Sequence, residues 1–511
     1  MKARQFLKNT VILAVGAVVL RLIGIGFSGW LTRKIGSEGM GLFQLVFTIY
    51  NFASTLATSG IYLAVTRLVA EELGKGKYGR AAAAMRVSMI FGAVVSAGAA
   101  AFLWFGAPYI GVHILQDGRT VRSLRVLAAA LPFMAFSCSL RGYFFAIREV
   151  WKTNTSQILE QLIRIAVVAL AFQIVLPKGL EWACVGIALG SVGGEAVAFC
   201  YTLTLYLRDK HKRTFVKEKS AVMARPVLAI AGPVALSGYL KAALSSIENI
   251  LVPRGLRRYG ADTATALAQY GMMEAMVMPV LNFPAALIAS FSNLLVPEVA
   301  EWRATGKTGE IAKLTGRVLR VTLLFALPVS AAFICFGEEL GGAIYGNPEA
   351  GKMLWIMAPL TPILYLDTVA DALLKGMDQQ VAVMRYSIID SGLSVLLLYT
   401  LLPLFGVRGY ITVLFFTSFV NASLSISRLS KVVRIPFNFS RWIGRPMLAA
   451  GAAGAVTMLA MRGAALPDGW RAGVGIVLLA LLYAAALYLL GIGRRTMRWT
   501  KRLRSQTPQT Q

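Results

Sequence analysis

The stretch Val474–Ile492 reads VGIVLLALLYAAALYLLGI and contains no charged side chain. A helix needs about 20 apolar residues to cross roughly 30 Å of hydrocarbon. In lipid, a helix of this length satisfies its own backbone hydrogen bonds. Comparable runs recur along the chain, among them 6–31, 81–105, 158–176 and 314–336. The pattern therefore predicts an all-α polytopic membrane protein.

The composition agrees, since 57% of the 511 residues are hydrophobic and only 15% are charged. Counting the apolar runs predicts about fourteen spans. They are 7–31, 40–64, 81–106, 124–147, 156–176, 183–207, 226–251, 268–295, 314–336, 353–376, 383–405, 409–429, 445–462 and 472–492. No remaining segment is long enough for a separate soluble domain. The first span lacks a small-residue cleavage site, so we expect a retained helix and not a signal peptide.

The formal net charge of +28 is divided unevenly between the two sides of these spans. With the amino terminus inside, 35 of the 52 Lys and Arg residues lie on the inner side, 13 on the outer side and 4 within spans. This positive-inside pattern predicts that both termini are cytoplasmic. Because the basic excess follows the membrane topology, we expect membrane lipids as partners and no nucleic acid.

The cysteines and histidines offer no metal-binding or catalytic spacing. The four cysteines are single residues in apolar runs and the two histidines lie in different loops (Cys138, Cys184, Cys200, Cys335, His113 and His211). None of these spacings is that of a zinc site or a redox pair. The outer loops are short and poor in catalytic acids or bases. We therefore expect neither an enzyme nor a resident cofactor.

An internal repeat appears when the chain is shifted against itself so that Gly41 falls on Gly271. The same shift, called the repeat offset below, matches Gln44 with Glu274, 69–71 with 299–301, Pro132 with Pro362, Glu160 with Asp390, and Gly179 with Gly409. Six spans in each repeat give both copies the same orientation, so the axis that relates them runs along the membrane normal. The predicted organisation is a first lobe over 1–220 and a second lobe over 221–440 around a central cavity. Two additional helices over 441–493 and a basic cytoplasmic tail over 494–511 follow.

Short strings in a fixed order resemble the multidrug/oligosaccharidyl-lipid/polysaccharide (MOP) exporter superfamily. They are RLIG at 21–24, GSEGMGL at 36–42, TRLVAE at 66–71, LRGYF at 140–144, SQILEQLIR at 156–164, VPR at 252–254, YGM at 270–272, FP at 283–284 and LVPE at 295–298. The resemblance covers nearly the whole chain. Within the superfamily it is to the polysaccharide-export branch, which contains sporulation-type proteins and lipid II flippases.

This resemblance implies transport of an undecaprenyl-linked glycan, such as a peptidoglycan precursor, from the inner to the outer leaflet. It implies alternating access between two lobes, a monomer, and no covalent chemistry on the substrate. Lipid II flippases carry a second arginine in the opening helix where this chain has Phe27, and the sporulation-type arginine one position later is Ser28 here. A cavity with fewer cations holds a pyrophosphate less firmly, so the identity of the glycan stays open.

Ionisable residues inside spans are the candidate site residues, because each costs roughly 2.5 to 3.5 kcal/mol at the bilayer centre on insertion scales. The candidates for substrate binding are Arg21, Lys241, Arg164, Glu160 and Glu274. An arginine fork suits a pyrophosphate. Alternatively, Arg21 extends to the outer interface or pairs with a carboxylate. Glu160 and Arg164 are four residues apart, so they alternatively form an internal ion pair.

The candidates for gating or ion coupling are Arg141, Asp367, Asp371, Asp390, Glu248 and Glu195. Asp371 is the repeat counterpart of Arg141, which suggests a gate between lobes; alternatively, both residues face water at the cytoplasmic mouth. Arg164 lies four residues after Glu160, whereas Ser394 lies four residues after Asp390. Asp390 is therefore expected to be a lone carboxylate without a local cation. Oxygen ligands from Asp390 with Thr412 or Asn421 make a weak Na⁺ candidate. Coupling to Na⁺, H⁺ or the membrane potential is open.

Four classes of function compete. Fourteen spans and the GMGL and LRGYF strings favour a lipid-linked glycan flippase over a cation-coupled multidrug antiporter of the same superfamily, which usually has twelve spans. The short outer loops disfavour a membrane enzyme. The charges inside spans disfavour a non-transporting scaffold.

Overall fold

The computed structural model describes residues 2–212, 221–433, 435, 438–463 and 467–490, and the predicted tail at 494–511 lies outside them. The α-helices are α1 (Lys2–Thr58), α2 (Ile61–Gly74), α3 (Tyr78–Tyr109), α4 (Thr120–Ala128), α5 (Ala130–Ala146), α6 (Val150–Val175), α7 (Leu180–Lys212), α8 (Ala221–Tyr259), α9 (Thr263–Gly271), α10 (Met278–Asn282), α11 (Ala285–Ala304), α12 (Thr308–Tyr345), α13 (Pro348–Met357), α14 (Thr361–Gly376), α15 (Gln380–Val432), α16 (Arg445–Met461) and α17 (Asp468–Leu489). Short π-helical segments lie at Ile110–Ile114, Met272–Val277 and Ser440–Gly444, and 3₁₀ turns at Leu176–Lys178 and Ala358–Leu360.

Ten helical segments within the described ranges are long and apolar enough to cross a membrane, or eleven if the bent pair α4–α5 is one span. Two helices are too long for one crossing. The 57-residue α1 breaks at Gly36 and the 53-residue α15 breaks at Gly406, both with positive φ. At about 1.5 Å per residue each of them covers two predicted spans. The arrangement is compatible with fourteen crossings, and the predicted all-α polytopic class is confirmed.

Packing divides the chain into two compact units. Unit 1 comprises Met1–Ala275 and Ser391–Val413, and unit 2 comprises Met276–Asp390 and Leu414–Gln511. Unit 1 therefore holds α1 to α9 and the middle of α15. Unit 2 holds α10 to α14, α16, α17 and the two ends of α15. This grouping follows close packing and does not coincide with the repeat boundary near 220, so the division into lobes stays a prediction.

The repeat offset recurs in the backbone at the turns between helices. Left-handed backbone, which is uncommon outside glycine, occurs at three equivalent pairs: Gly76 and Gly306 (φ 72° in both), Gln116 and Gly346 (56° and 67°), and Arg148 and Asp378 (63° and 60°). The hydrogen bonds that close these turns also match. Lys77 N–H donates to Glu72 O and Lys307 N–H donates to Trp302 O, both at 2.9 Å. Both copies therefore use the same turns, which supports the repeat.

Two repeat-related glycines face each other inside unit 1, where α1 packs on α9. A Cβ atom on Gly41 would lie 1.9 Å from Leu267 O, and one on Gly271 would lie 2.4 Å from Ser37 O. Ser37 and Leu267 are themselves related by the repeat offset. Each of the two contacts is therefore the repeat equivalent of the other. Two-fold-related elements produce such reciprocal contacts. The helices approach this closely because neither glycine has a side chain.

The two appended helices pack within unit 2. Phe336 of α12, Met461 of α16, and Ala472 and Leu479 of α17 form one buried apolar cluster. A Cβ atom on Gly475 would lie 2.3 Å from the Phe336 ring, so this glycine lets α17 approach α12. These contacts hold the additional pair of helices, predicted over 441–493, against the rest of unit 2.

Candidate functional site

Three neighbouring helices of unit 1 bring four charged side chains together. We call Arg141 (α5), Glu160 and Arg164 (α6) and Glu195 (α7) the first charge cluster. Arg141 Nη2 lies 2.8 Å from Glu160 Oε2 and 3.8 Å from Glu195 Oε2. Arg164 Nη2 lies 2.6 Å from Glu160 Oε1. The side chain of Glu195 is only 5% exposed, so this cluster is buried within the helices.

The first charge cluster contains the ion pair that the spacing of Glu160 and Arg164 predicts. The structure adds Arg141, which joins the two glutamates from another helix. Two guanidinium groups balance two carboxylates, so the cluster is neutral as a whole. Buried charges are tolerated when they are paired and hydrogen-bonded. The arrangement therefore favours a structural role for Glu160 and Arg164 over direct contact with a substrate, although either role stays a prediction.

Unit 2 contains a second group of polar side chains. We call Asp367 and Asp371 (α14) with Asp390, Asn421 and Ser425 (α15) the second charge cluster. Asn421 Nδ2 donates to Asp367 Oδ2 at 2.8 Å, and the Ser425 hydroxyl donates to Asp371 Oδ1 at 3.3 Å. Asp371 and Asp390 lie close enough to act electrostatically on Asp367. Asp390 therefore has two other acids as neighbours, and the expectation that it lacks a local cation stays a prediction.

The two clusters occupy equivalent positions of the repeat. The repeat offset carries Arg141 onto Asp371, Glu160 onto Asp390 and Glu195 onto Ser425. The contact between Arg141 and Glu195 in unit 1 thus corresponds to the hydrogen bond between Ser425 and Asp371 in unit 2. Sequence reasoning missed Ser425, although the repeat offset that maps Glu195 onto it was available.

A cavity of about 390 Å³ lies between α1 and α8 of unit 1. Its lining consists mainly of amide and hydroxyl side chains and includes one cation: Gln44, Thr48, Asn51, Phe52, Thr55, Gly238, Lys241, Ala242, Ser245, Ser246 and Asn249. No acidic residue belongs to this lining. Amides and hydroxyls both donate and accept hydrogen bonds, so the cavity suits a ligand rich in hydroxyl groups that also carries negative charge.

A hydrogen-bonded network leads from this cavity into the protein. The hydroxyl of the buried Tyr270 donates to Asn249 Oδ1 at 3.0 Å and lies 3.4 Å from Thr48 Oγ1. Four residues further on, Glu274 accepts a hydrogen bond from the hydroxyl of Tyr410 on α15. The sequence singled out Glu274 but neither tyrosine. Tyr410 lies 136 residues away, so only the fold could reveal this contact.

The remaining predicted site residues are placed as follows. Lys241 lines the cavity, whereas Arg21 is exposed on α1 and is not among the lining residues. Glu248 lies beside Asn249 and acts electrostatically on Tyr410. Arg141 and Asp371 each have a partner within their own unit, and the gate proposed between them stays a prediction.

The weak Na⁺ candidate also stays a prediction. Asn421 uses its amide to contact Asp367, and the Thr412 hydroxyl donates to Arg408 O of its own helix at 2.9 Å. Within the described residues, no group of three or more His, Cys, Asp or Glu side chains is arranged to hold a metal ion.

The membrane-spanning helices hold the buried charge pairs and the cavity, so the chain is an all-α polytopic membrane protein with polar sites between its helices. Residues 6–302 match the family model described as "Polysaccharide biosynthesis protein", and the chain belongs to this family. It is 28% identical to stage V sporulation protein B of Bacillus subtilis (strain 168) over 452 residues, which cover 86% of this chain and 87% of that protein.

Two solved structures are similar to the whole fold. Lipid II flippase MurJ in the inward closed conformation aligns with a TM-score of 0.71 at 10% identity, covering 94% of this chain and 98% of that one. An inward-facing multidrug resistance MATE family transporter of the MOP superfamily aligns with a TM-score of 0.63 at 15% identity, covering 81% and 94%. The family match confirms the resemblance to polysaccharide-export proteins that the motifs indicate, and the two structures share the fold.

Proposed function

We propose that this transporter moves an undecaprenyl-linked glycan, such as a peptidoglycan precursor, from the inner to the outer leaflet of the bacterial cell membrane. Both termini lie in the cytoplasm, and the lobes work by alternating access. Cell-wall or spore-cortex synthesis is the process served. The cavity between α1 and α8 is the observation that carries this proposal. Its hydroxyl and amide groups match sugar hydroxyls, and the Lys241 ammonium matches a phosphate.

The composition of the same cavity argues against the alternative, a cation-coupled multidrug antiporter. An organic cation is stabilised by carboxylates or by several aromatic faces. The lining offers the single ring of Phe52, no acid, and a positive charge that repels such a ligand. The structural likeness to a MATE family transporter reports the shared fold, and the cavity chemistry favours an anionic substrate.

The second charge cluster is the proposed entry point for a driving ion, H⁺ or Na⁺. In the first charge cluster Arg141 and Arg164 balance the two glutamates, whereas the second copy has Asp371 and Ser394 at those two positions. Like charges on one site repel unless one of them binds a proton or a cation. Because Asp371 and Asp390 act electrostatically on Asp367, an ion bound among the three acids lowers their mutual repulsion, and transport is expected to respond when an ion gradient is imposed.

Complementation of a bacterial strain depleted of its lipid II flippase tests the function. Wild-type protein should restore growth, and Lys241→Ala should lower transport of lipid II about ten- to hundredfold, the scale of one lost charge-assisted hydrogen bond. Lys352→Ala is the matched control, because Lys352 is exposed and pairs with Glu349 at 2.7 Å on α13. Failure to rescue despite normal membrane insertion would point to another lipid-linked glycan. Export of organic cations without any lipid transport would overturn the proposal.

A further inference from the structure

The carboxyl group of Glu274 lies on the π-helical segment Met272–Val277. Single π-helical turns within helices are often found at functional sites. Among the described residues, the hydrogen-bond donor to this carboxyl is the neutral phenol of Tyr410 and not a cation. Glu274 thus differs from the glutamates of the first charge cluster, which contact guanidinium groups. A partly buried carboxyl group whose hydrogen-bond donor is a neutral phenol is poised to carry a proton.

In the part of the chain that the structure describes, groups around this carboxyl and around its hydrogen-bond donor come from four helical elements. Tyr270 lies one turn earlier on α9, and Tyr410 approaches from α15. From α8, Glu248 acts electrostatically on Tyr410. From α1, the Ser28 hydroxyl donates to Ala275 O at 3.0 Å, directly after Glu274. Ionisation of Glu274 would place a negative charge in this network, and a proton on Glu274 avoids that cost.

Tyr270 connects this carboxyl to the cavity. Its side chain is fully buried, and its hydroxyl contacts Asn249 and Thr48, which both line the cavity. A ligand hydroxyl that hydrogen-bonds to Asn249 or Thr48 competes for the groups that hold the Tyr270 hydroxyl. Tyr270 and Glu274 are four residues apart on consecutive helical turns, so their side chains lie on one face. The released phenol can then donate to the carboxylate and stabilise its ionised form.

We propose that Glu274 is a proton-binding site that Tyr270 couples to the occupancy of the cavity. When the cavity fills, the O–H bond of the Glu274 carboxyl breaks, the proton leaves to water, and the Tyr270 hydroxyl donates to the resulting carboxylate. When the cavity empties, Tyr270 returns to Asn249 and the carboxyl takes up a proton again. This inference rests on the proposed function only in taking the occupant to be a lipid-linked glycan.

Proton release on ligand binding is the direct test. Full-length protein in weakly buffered detergent solution is mixed with lipid II, and a pH indicator reports the protons released per protein. Bound ligand is quantified for each variant. Wild type should release about one proton per bound ligand, and Glu274→Gln should release none per bound ligand. Tyr270→Phe should bind without release, because the coupling is cut. Glu310→Gln is the matched control, since Glu310 is exposed on α12 and pairs with Lys313 at 2.9 Å.

An arm without ligand separates failure of this inference from failure of the proposed substrate. The infrared carbonyl band of protonated carboxyl groups is recorded while pH is raised. A component of this band should disappear with pH in wild type and in Tyr270→Phe, and it should be absent in Glu274→Gln at every pH. If lipid II does not bind, this component still supports the proton site and only the substrate is wrong. An infrared band that Glu274→Gln leaves unchanged, or equal proton release by wild type and Glu274→Gln, would overturn the inference.

Discussion

The first and second charge clusters lie at equivalent positions of the repeat, but their charged residues differ: the first combines acids with arginines and the second contains three acids. In the first cluster, Arg141 contacts Glu160 and Glu195, and every acid has a guanidinium beside it. In the second, the counterparts of Arg141 and Glu195 are Asp371 and Ser425, which share a hydrogen bond. The backbone turns around them match at the repeat offset. The repeated helices place polar side chains at equivalent positions. The residue types at a few of these positions determine the charge of each cluster.

This difference assigns separate roles to the two copies. A site that balances its own charges locks neighbouring helices together and has no need of an ion. A site with three acids is stabilised by a proton or a cation and changes its energy when that ion leaves. We therefore expect substitutions in the first cluster to lower stability and those in the second to change ion dependence.

The largest expected effect follows from Arg141→Met. Removing this guanidinium leaves two buried carboxylates with one remaining cation, and breaking a buried pair typically costs about 3–5 kcal/mol. The thermal unfolding midpoint in detergent should fall more than for any other single substitution in either cluster. Arg164→Met is the control, because Arg141 still contacts both glutamates and the expected loss is smaller. Equal midpoints for wild type and Arg141→Met would contradict a structural lock.

The repeat itself is tested where its two copies meet within unit 1. Gly41→Ala and Gly271→Ala each force a methyl group into a facing backbone carbonyl at 2.4 Å or less. Overpacking of this kind costs about 1–3 kcal/mol. Because the two contacts are reciprocal, both variants should lower the unfolding midpoint by similar amounts. Gly24→Ala is the control, since nothing lies near its Cβ position. A large effect on the unfolding midpoint at one glycine and none at the other would contradict the reciprocal contact between the two copies.

Changing one carboxyl to an amide should lower the stability of the protein in the first cluster and raise it in the second. Glu195→Gln removes a charge that attracts Arg141, so stability should fall by about 1 kcal/mol. Asp371→Asn relieves repulsion within the acidic cluster, so stability at alkaline pH should rise by roughly 1 kcal/mol, the scale of a partly screened charge contact. Unfolding midpoints measured at the same pH provide the comparison. Destabilisation of equal size in both clusters would show that the second is also a structural lock.

The smallest effect concerns the start of α9, where the copies differ in local structure. The carboxyl of Asp262 accepts a hydrogen bond from the Thr265 hydroxyl and caps α9 by accepting from Ala264 N–H and Thr265 N–H, and these hydrogen bonds lower its pKa. Its counterpart Thr32 lies within the continuous helix α1. Since the folded pKa of Asp262 is depressed, the cap stabilises above the ordinary pKa and is lost as pH falls through the lower value. The hydrogen-exchange protection factor at the first turn of α9, which corrects for the intrinsic pH dependence of exchange, should therefore fall in acid for wild type. It should not change with pH in Asp262→Asn, which retains an oxygen acceptor.

Much of this architecture is predictable because it depends on local or periodic features. Apolar runs define the spans, and the repeat offset aligns Glu160 with Asp390. The four-residue spacing of Glu160 and Arg164 predicts their ion pair. Contacts between side chains of different helices cannot be predicted in this way. The approach of Arg141 to Glu195 and of Tyr410 to Glu274 depends on how helices are rotated against each other. No local pattern encodes that rotation, so the network around Glu274 emerged only from the structure.

The central claim is that one copy of a repeated site neutralises itself and the other takes up the driving ion. The most direct test converts the second cluster into the first by combining Asp367→Ser, Asp371→Arg, Ser394→Arg and Ser425→Glu. Asp390 then remains as the counterpart of Glu160, and two arginines balance two acids. Translocation of lipid II in proteoliposomes is then measured with and without an imposed pH or Na⁺ gradient. The account predicts a folded protein with an unchanged unfolding midpoint whose transport no longer responds to either gradient. Transport that is still accelerated by the gradient as in wild type would contradict it.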